Sequence, residues 1–147
     1  MIRPYSADDH DELLDVWYRA SLIAHSFLSI EFLETERRLI SEKWLPIAET
    51  MVYEKDGHVA GFLSLVGNEV GGIFVHPDYQ RQGIGRALMD TARSSRPFLE
   101  LSVFEANDHG RSFYDGYGFR RVGRHDNEDA GHAEIRLRLD PTTRSGE

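Results

Sequence analysis

The chain has 147 residues, 40% of them hydrophobic and 11% aromatic, with a formal net charge of −8 at pH 7. That length supports one real core and argues against a second domain, and the acidic balance argues against a surface that coats nucleic acid, which needs clustered Lys and Arg. Cysteine is absent, which excludes disulfides, thiolate metal sites and a cysteine nucleophile; the N-terminus lacks a basic-then-apolar leader and no apolar run reaches membrane-spanning length, so the expected setting is the cytoplasm, without a membrane partner.

In chain order, Ile2-Arg3-Pro4 reads as a short opening strand. Ser6-Ala7-Asp8-Asp9 offers capping side chains to a helix whose Leu13, Leu14, Trp17 and Ala20 recur at helical spacing. After a break around residues 24–27, the pattern from Ser29 to about Trp44 predicts a second helix, ended near Pro46. Residues 51–55 and 58–66 flank Asp56-Gly57, a strong hairpin signal, and should pair antiparallel. Gly67-Asn68 is a second two-residue turn, and residues 69–75 form the next strand, where alternation points Glu69 to the same side as Gly71 and Ile73. Gly71-Gly72 inside that strand marks a bulge or a close approach by another backbone or a ligand.

Residues 76–90, HPDYQRQGIGRALMD, then read as a turn and the start of an amphipathic helix. The strand pattern at residues 97–103 follows through that helix and should lie parallel to the strand ending at Val75. A short helix from about Asn107 to Tyr117 is stopped by Gly118. Residues 119–123 and 133–139 give two closing strands, and residues 141–147 read as a disordered tail. The sum is an α/β (α+β) fold with a mixed sheet, one domain over residues 1–140.

The turn before the first long crossover carries chemistry. A helix N-terminus exposes unpaired N–H groups and a partial positive charge, and Gly83 and Gly85 let an anion reach them without Cβ interference. Arg81 and Arg86 add charge locally. No Gly-Lys-Ser/Thr follows, so this is not a P-loop, and the third glycine of the dinucleotide fingerprint is missing. Seven scattered histidines, without HxH or HExxH spacing, give no reason to expect a metal.

Two motifs identify a family resemblance. Val75-His76-Pro77 leads into Gln80-Arg81-Gln82-Gly83-Ile84-Gly85, and Asn107-Asp108-His109-Gly110-Arg111-Ser112-Phe113-Tyr114 continues to Gly118-Phe119. Both resemble the GNAT superfamily of acyl-CoA-dependent N-acyltransferases, the second with Gly110 where the family has alanine. The opening IRP and the segment WYRASLIAHSFL, residues 17–28, are similar to an incompletely characterised bacterial subgroup. The resemblance implies a six- to seven-stranded, mostly antiparallel sheet, about four helices, and a central parallel pair splayed apart.

It also implies roles. Backbone N–H groups of Gln82, Gly83, Ile84, Gly85 and Arg86 would hold the pyrophosphate of acetyl-CoA, with Arg81 or Arg86 assisting. Phe74 and Val75 would pair with the pantetheine arm and aim an N–H at the thioester oxygen. Asn107 would sit by that arm and Tyr114 by the sulfur. Independently, Asn107 and Tyr114 are two helical turns apart and share a face, and a phenol can give a hydrogen bond or proton to a departing thiolate. Glu69, His25 and His76 compete as the base that frees the amine. The implied acceptor is a primary amine on a small molecule or amino acid, with a protein amine second; the resemblance is compatible with a homodimer. A non-catalytic acyl-CoA sensor, which would not need Tyr114, stays open as the alternative.

Overall fold

From the N-terminus the computed structural model, which describes residues 1–141, runs β1 (Ile2–Pro4), α1 (His10–Ala24), α2 (Ile30–Leu39), β2 (Glu49–Lys55), β3 (His58–Val66), β4 (Glu69–Val75), α3 (Ile84–Ser94), β5 (Leu99–Phe104), α4 (Asp108–Tyr117), β6 (Arg120–Asn127) and β7 (His132–Leu139). The tail read from the sequence lies, apart from Pro141, outside the described residues. Arg3 joins β1 to the start of α1 by gripping Asp9 with two guanidinium nitrogens, each at 2.8 Å. Ser29 caps α2, its Oγ accepting from the Phe32 N–H at 3.0 Å. The helical reading to Trp44 holds in a modified form: residues Ile40–Trp44 continue as a π-helical turn, closed by the Leu45 N–H to the Ile40 carbonyl at 2.9 Å.

Asp56 and Gly57 have φ of 54° and 79°. Left-handed residues at both turn positions match the twist of the strands they join, so β2 and β3 leave the turn as a hairpin. The seven strands form one sheet in the order β1-β2-β3-β4-β5-β7-β6. All neighbours are antiparallel except β4 and β5. Pairing sets β7 between β5 and β6, because a crossover joins β5 to β6 and a hairpin then returns β7 into the gap.

Each face of the sheet carries its own core. Leu63, Leu65, Val70, Leu99, Leu101, Ile135 and Leu137 pack with Leu88 and Met89 of α3, and the α4 aromatics close this side. On the other face Val52, Val59 and Phe62 pack with Leu13, Val16 and Trp17 of α1 and Leu33 of α2. Leu13, Leu63, Leu88 and Met89 are fully buried. Burial of this kind contributes about 2 kcal/mol per large side chain and fixes the helices to opposite faces. Among the described residues no helix is long and apolar enough to cross a membrane.

Candidate active site

The site begins where the sheet opens. Strands β4 and β5 pair in register only at Glu69 and Glu100, with the Glu100 N–H donating to the Asn68 carbonyl at 2.9 Å. Beyond that point they diverge, so one edge of β4 has no strand beside it. On its other edge β4 stays paired with β3, but the register steps from Leu65↔Val70 to Ser64↔Gly72. Gly71 is therefore the extra residue of a bulge, which bends the strand. Gly72 makes room: a Cβ there would come within 2.9 Å of the Phe74 ring, which stacks on Phe62 at 5.5 Å between centroids.

The bulge also corrects one expectation. Val70 and Ile73 both pack on the α3 face, which simple alternation forbids for residues three apart. Glu69, next to Val70, thus projects to the α1/α2 face, opposite to Ile73. There Arg136 of β7 grips it with two nitrogens, at 2.6 and 2.9 Å, and also donates to Ser102 Oγ at 3.1 Å. The alternation of Ile135, Leu137 and Leu139 shows which face Arg136 takes, but the insertion of β7 beside β5 is what brings it to Glu69.

The turn from β4 into α3 winds through left-handed backbone at Arg81, φ 64°, and Gly83, φ 79°. Gln80 Nε2 donates to the Val75 carbonyl at 3.2 Å and ties the turn to the strand end. Gly83 caps α3 without a side-chain bond, and the first turn holds no acidic residue. By contrast, α1, α2 and α4 carry Asp11 and Glu12, Glu31, and Asp108 in theirs. The positive end of α3 is thus left for an anion from outside. At Gly85 a Cβ would meet the Phe113 ring at 3.7 Å, an ordinary contact, so packing does not demand glycine there. Lys55 donates to Gln82 Oε1; this cation beside the turn is invisible to sequence spacing, since only the β2–β3 hairpin carries it there. Arg86 lies over the Tyr117 ring at 5.3 Å. Arg81 is a non-glycine residue in left-handed backbone, a strain of about 1–2 kcal/mol. Arg81→Gly is expected to raise stability by about 0.5–1 kcal/mol after the added freedom of the unfolded chain is subtracted, read as a higher urea midpoint at unchanged m.

On the opposite wall Asn107 caps α4. Its Oδ1 accepts from the Gly110 N–H at 3.0 Å, and its Nδ2 stands 3.3 Å from His25 Nε2. A Cβ at position 110 would fall 2.6 Å from that Nδ2, so glycine in place of the family's alanine leaves Asn107 free to reach His25. The His25 ring sits among Phe104, Phe27 and Phe74, with centroids 5.3, 5.8 and 6.3 Å away. Burial lowers its pKa to about 4. At neutral pH the ring is uncharged and its Nε2 lone pair faces the Asn107 amide, which suits a fixed contact better than a base. His76 is engaged too: its Nδ1 accepts from the Asp78 N–H at 3.0 Å. Tyr114 lies between Phe113 and Phe119, both 5.5 Å from its ring. Burial pushes its pKa up, and its hydroxyl meets no partner among the described residues.

A single cavity of about 780 Å³ joins these parts. Arg81, Gly83, Ile84, Gly85 and Arg86 line one end, Phe74, Val75, Asn107 and Tyr114 the middle, and Glu69, His25 and Glu36 the far side, with Trp17, Phe32 and Trp44 as aromatic walls. Of the residues singled out in the sequence for acyl-CoA or catalysis, Gln82 and His76 are the two that do not line it. Among the described residues no three His, Asp or Glu side chains converge as a metal set would.

A family model described as an acetyltransferase (GNAT) domain matches residues 46–121, from β2 through α4. The chain belongs to the GNAT acetyltransferase family. This GNAT protein is 35% identical over 132 residues to the peptidyl-lysine N-acetyltransferase YjaB of Escherichia coli K12, covering 88% of each chain. It is 31% identical over 123 residues to YiaC of the same strain, also named a peptidyl-lysine N-acetyltransferase, covering 83% of this chain and 84% of YiaC. The solution structure of apo YjaB superposes with a TM-score of 0.84 at 30% identity, over 95% of this chain and 96% of that one. The PaiA N-acetyltransferase of Thermoplasma acidophilum, solved with coenzyme A, shares the fold at 22% identity, with a TM-score of 0.76 over 92% of this chain and 96% of that one. The seven-stranded sheet with its parallel β4–β5 pair is the GNAT fold, and the protein is an acyltransferase.

Proposed function

We propose that this GNAT protein moves the acetyl group of acetyl-CoA to a primary amine by direct attack in a ternary complex, with residues 1–140 working as one unit. The observation that carries this reading is one cavity running from the acid-free start of α3, along the open edge of β4, to the Tyr114 hydroxyl. The pyrophosphate would take the N–H groups of residues 82–86, with charge from Arg81, Arg86 and Lys55. The pantetheine arm would add to the open edge of β4 at Phe74 and Val75 as a strand adds to a sheet, and an N–H there would meet the oxyanion. Asn107, held by Gly110 and His25, would border the arm. Tyr114 would donate to the departing sulfur. With no cysteine in the chain, transfer through a cysteine acyl-enzyme has no nucleophile, so the amine attacks directly.

The acceptor is a lysine ε-amine, free or within a peptide. The sequence alone favours a small amine, but the names of YjaB and YiaC shift the weight to lysine. The far side of the cavity suits it: Trp17, Phe32 and Trp44 would flank an aliphatic stem, and carboxylates face the ammonium. An assay of free thiol release from acetyl-CoA should show turnover with Nα-blocked lysine and lysine peptides, well above that with neutral small amines. Absence of thiol release with every amine in the panel, together with an acetyl-CoA-induced rise in melting temperature, would instead establish the non-catalytic sensor.

A further inference from the structure

The cavity holds three carboxylates, and their surroundings separate them. Glu69 is clamped by both terminal nitrogens of Arg136. Glu134 accepts from His125 Nε2 at 2.8 Å. Glu36 of α2 lines the same cavity, is half-buried, and meets no hydrogen-bond or ion-pair partner among the described residues. A carboxylate gripped by a guanidinium has its lone pairs occupied, whereas an unpartnered one in a partly dry cavity invites a cation.

Resting on the lysine acceptor proposed above, we infer that Glu36, not Glu69, is the carboxylate that receives the acceptor's ammonium group and takes its first proton. The step balances as follows. The ammonium gives one proton to the Glu36 carboxylate and becomes a neutral amine. Its nitrogen forms a bond to the thioester carbon, the C–S bond breaks, and the electron pair leaves on sulfur. The proton still to be lost from that nitrogen passes to the thiolate, beside the Tyr114 hydroxyl. Glu36 then returns its proton to solvent. Burial, with Glu134 and Asp129 nearby, raises the Glu36 pKa, while the same burial lowers that of an entering ammonium, so the two approach each other. The other ionisable groups of the cavity do not compete: His25 faces Asn107, Glu69 faces Arg136, and His109 stands exposed on α4.

The test compares the whole protein with Glu36→Gln and Glu69→Gln, using acetyl-CoA and Nα-blocked lysine. For Glu36→Gln, kcat/KM at pH 7 should fall at least tenfold, and the deficit should shrink towards pH 10, where free amine needs no base. Binding of blocked lysine to the protein–CoA complex should weaken at least tenfold, while norleucine in the same position distinguishes the two proteins by less than twofold. Melting temperature and its rise with acetyl-CoA should be unchanged or higher, since a half-buried, unpaired carboxylate is removed. Glu69→Gln should keep more activity than Glu36→Gln. Turnover within twofold of the parent protein in Glu36→Gln, or a collapse confined to Glu69→Gln, would overturn the assignment and leave the lysine reading standing. A parent protein that acetylates no amine would overturn both.

Discussion

Tyr114→Phe is expected to lower kcat by roughly 10- to 150-fold while leaving acetyl-CoA affinity within twofold. The size follows from which of two effects a buried phenol can supply. A thiol has an ordinary pKa of about 8.5 and a phenol about 10, and burial pushes Tyr114 higher still. Outright proton transfer to the thiolate is therefore uphill, and the hydroxyl acts first as a hydrogen-bond donor to developing charge. A hydrogen bond to a charged group contributes about 1.5–3 kcal/mol, which sets the range above. Because the hydroxyl meets no protein partner, its removal should leave the melting temperature almost unchanged. Steady-state kinetics with acetyl-CoA titrated separately from the amine decides the matter. An unchanged kcat removes Tyr114 from the chemistry, and a loss near 10⁴-fold means full proton transfer after all.

The same logic connects the two walls of the cavity. One wall is backbone: the open edge of β4 and the uncapped start of α3, both left without partners by the fold. The other wall is side chain, with Asn107 fixed by Gly110 and His25 at one end of the α4 face and Tyr114 two turns along it. An acyl-CoA molecule would thus meet main chain on one side and a pre-set row of polar groups on the other. Such a row works only if its members are already positioned.

Much of this was legible in the sequence because it is written locally. The Asp56-Gly57 hairpin, the Val75-to-Gly85 turn and the Asn107-to-Phe119 helix each carry their instructions within a short local stretch. The contacts that escaped are those made by pairing distant strands. Arg136 reaches Glu69 across 67 positions, and Asn107 reaches His25 across 82. Simple alternation puts Glu69 on the wrong side for a local reason of another kind. A bulge changes the alternation by one residue, and Gly71-Gly72 signalled a bulge without saying which glycine was the extra one. A Cβ at Gly71 would find its nearest neighbour at 3.9 Å, so sterics alone did not mark it out.

Acid should unfold this protein partly through His25, and His25→Gln should remove that component. The folded pKa is lowered to about 4 from an ordinary 6.5. Between those values the unfolded chain binds a proton that the folded chain does not, so stability present above about pH 6.5 is lost as pH falls towards 4. The gap is worth about 2–3 kcal/mol, allowing for the ring's partial exposure. Two other groups frame the measurement. Asp9, held down to about 2 by Arg3, loses its contribution only below pH 4, outside this window. Glu36, with a raised pKa, works in the opposite direction, gaining relative stability as pH falls through its folded value. It does so equally in both proteins, so the difference between them isolates His25. Urea melts at pH 7, 6, 5 and 4 should show the two stability curves converging by about 2–3 kcal/mol, with the parent protein descending faster. Parallel curves would mean that the ring takes its proton in the folded state as readily as in the unfolded one. Burial among the three phenylalanines would then not hold His25 neutral.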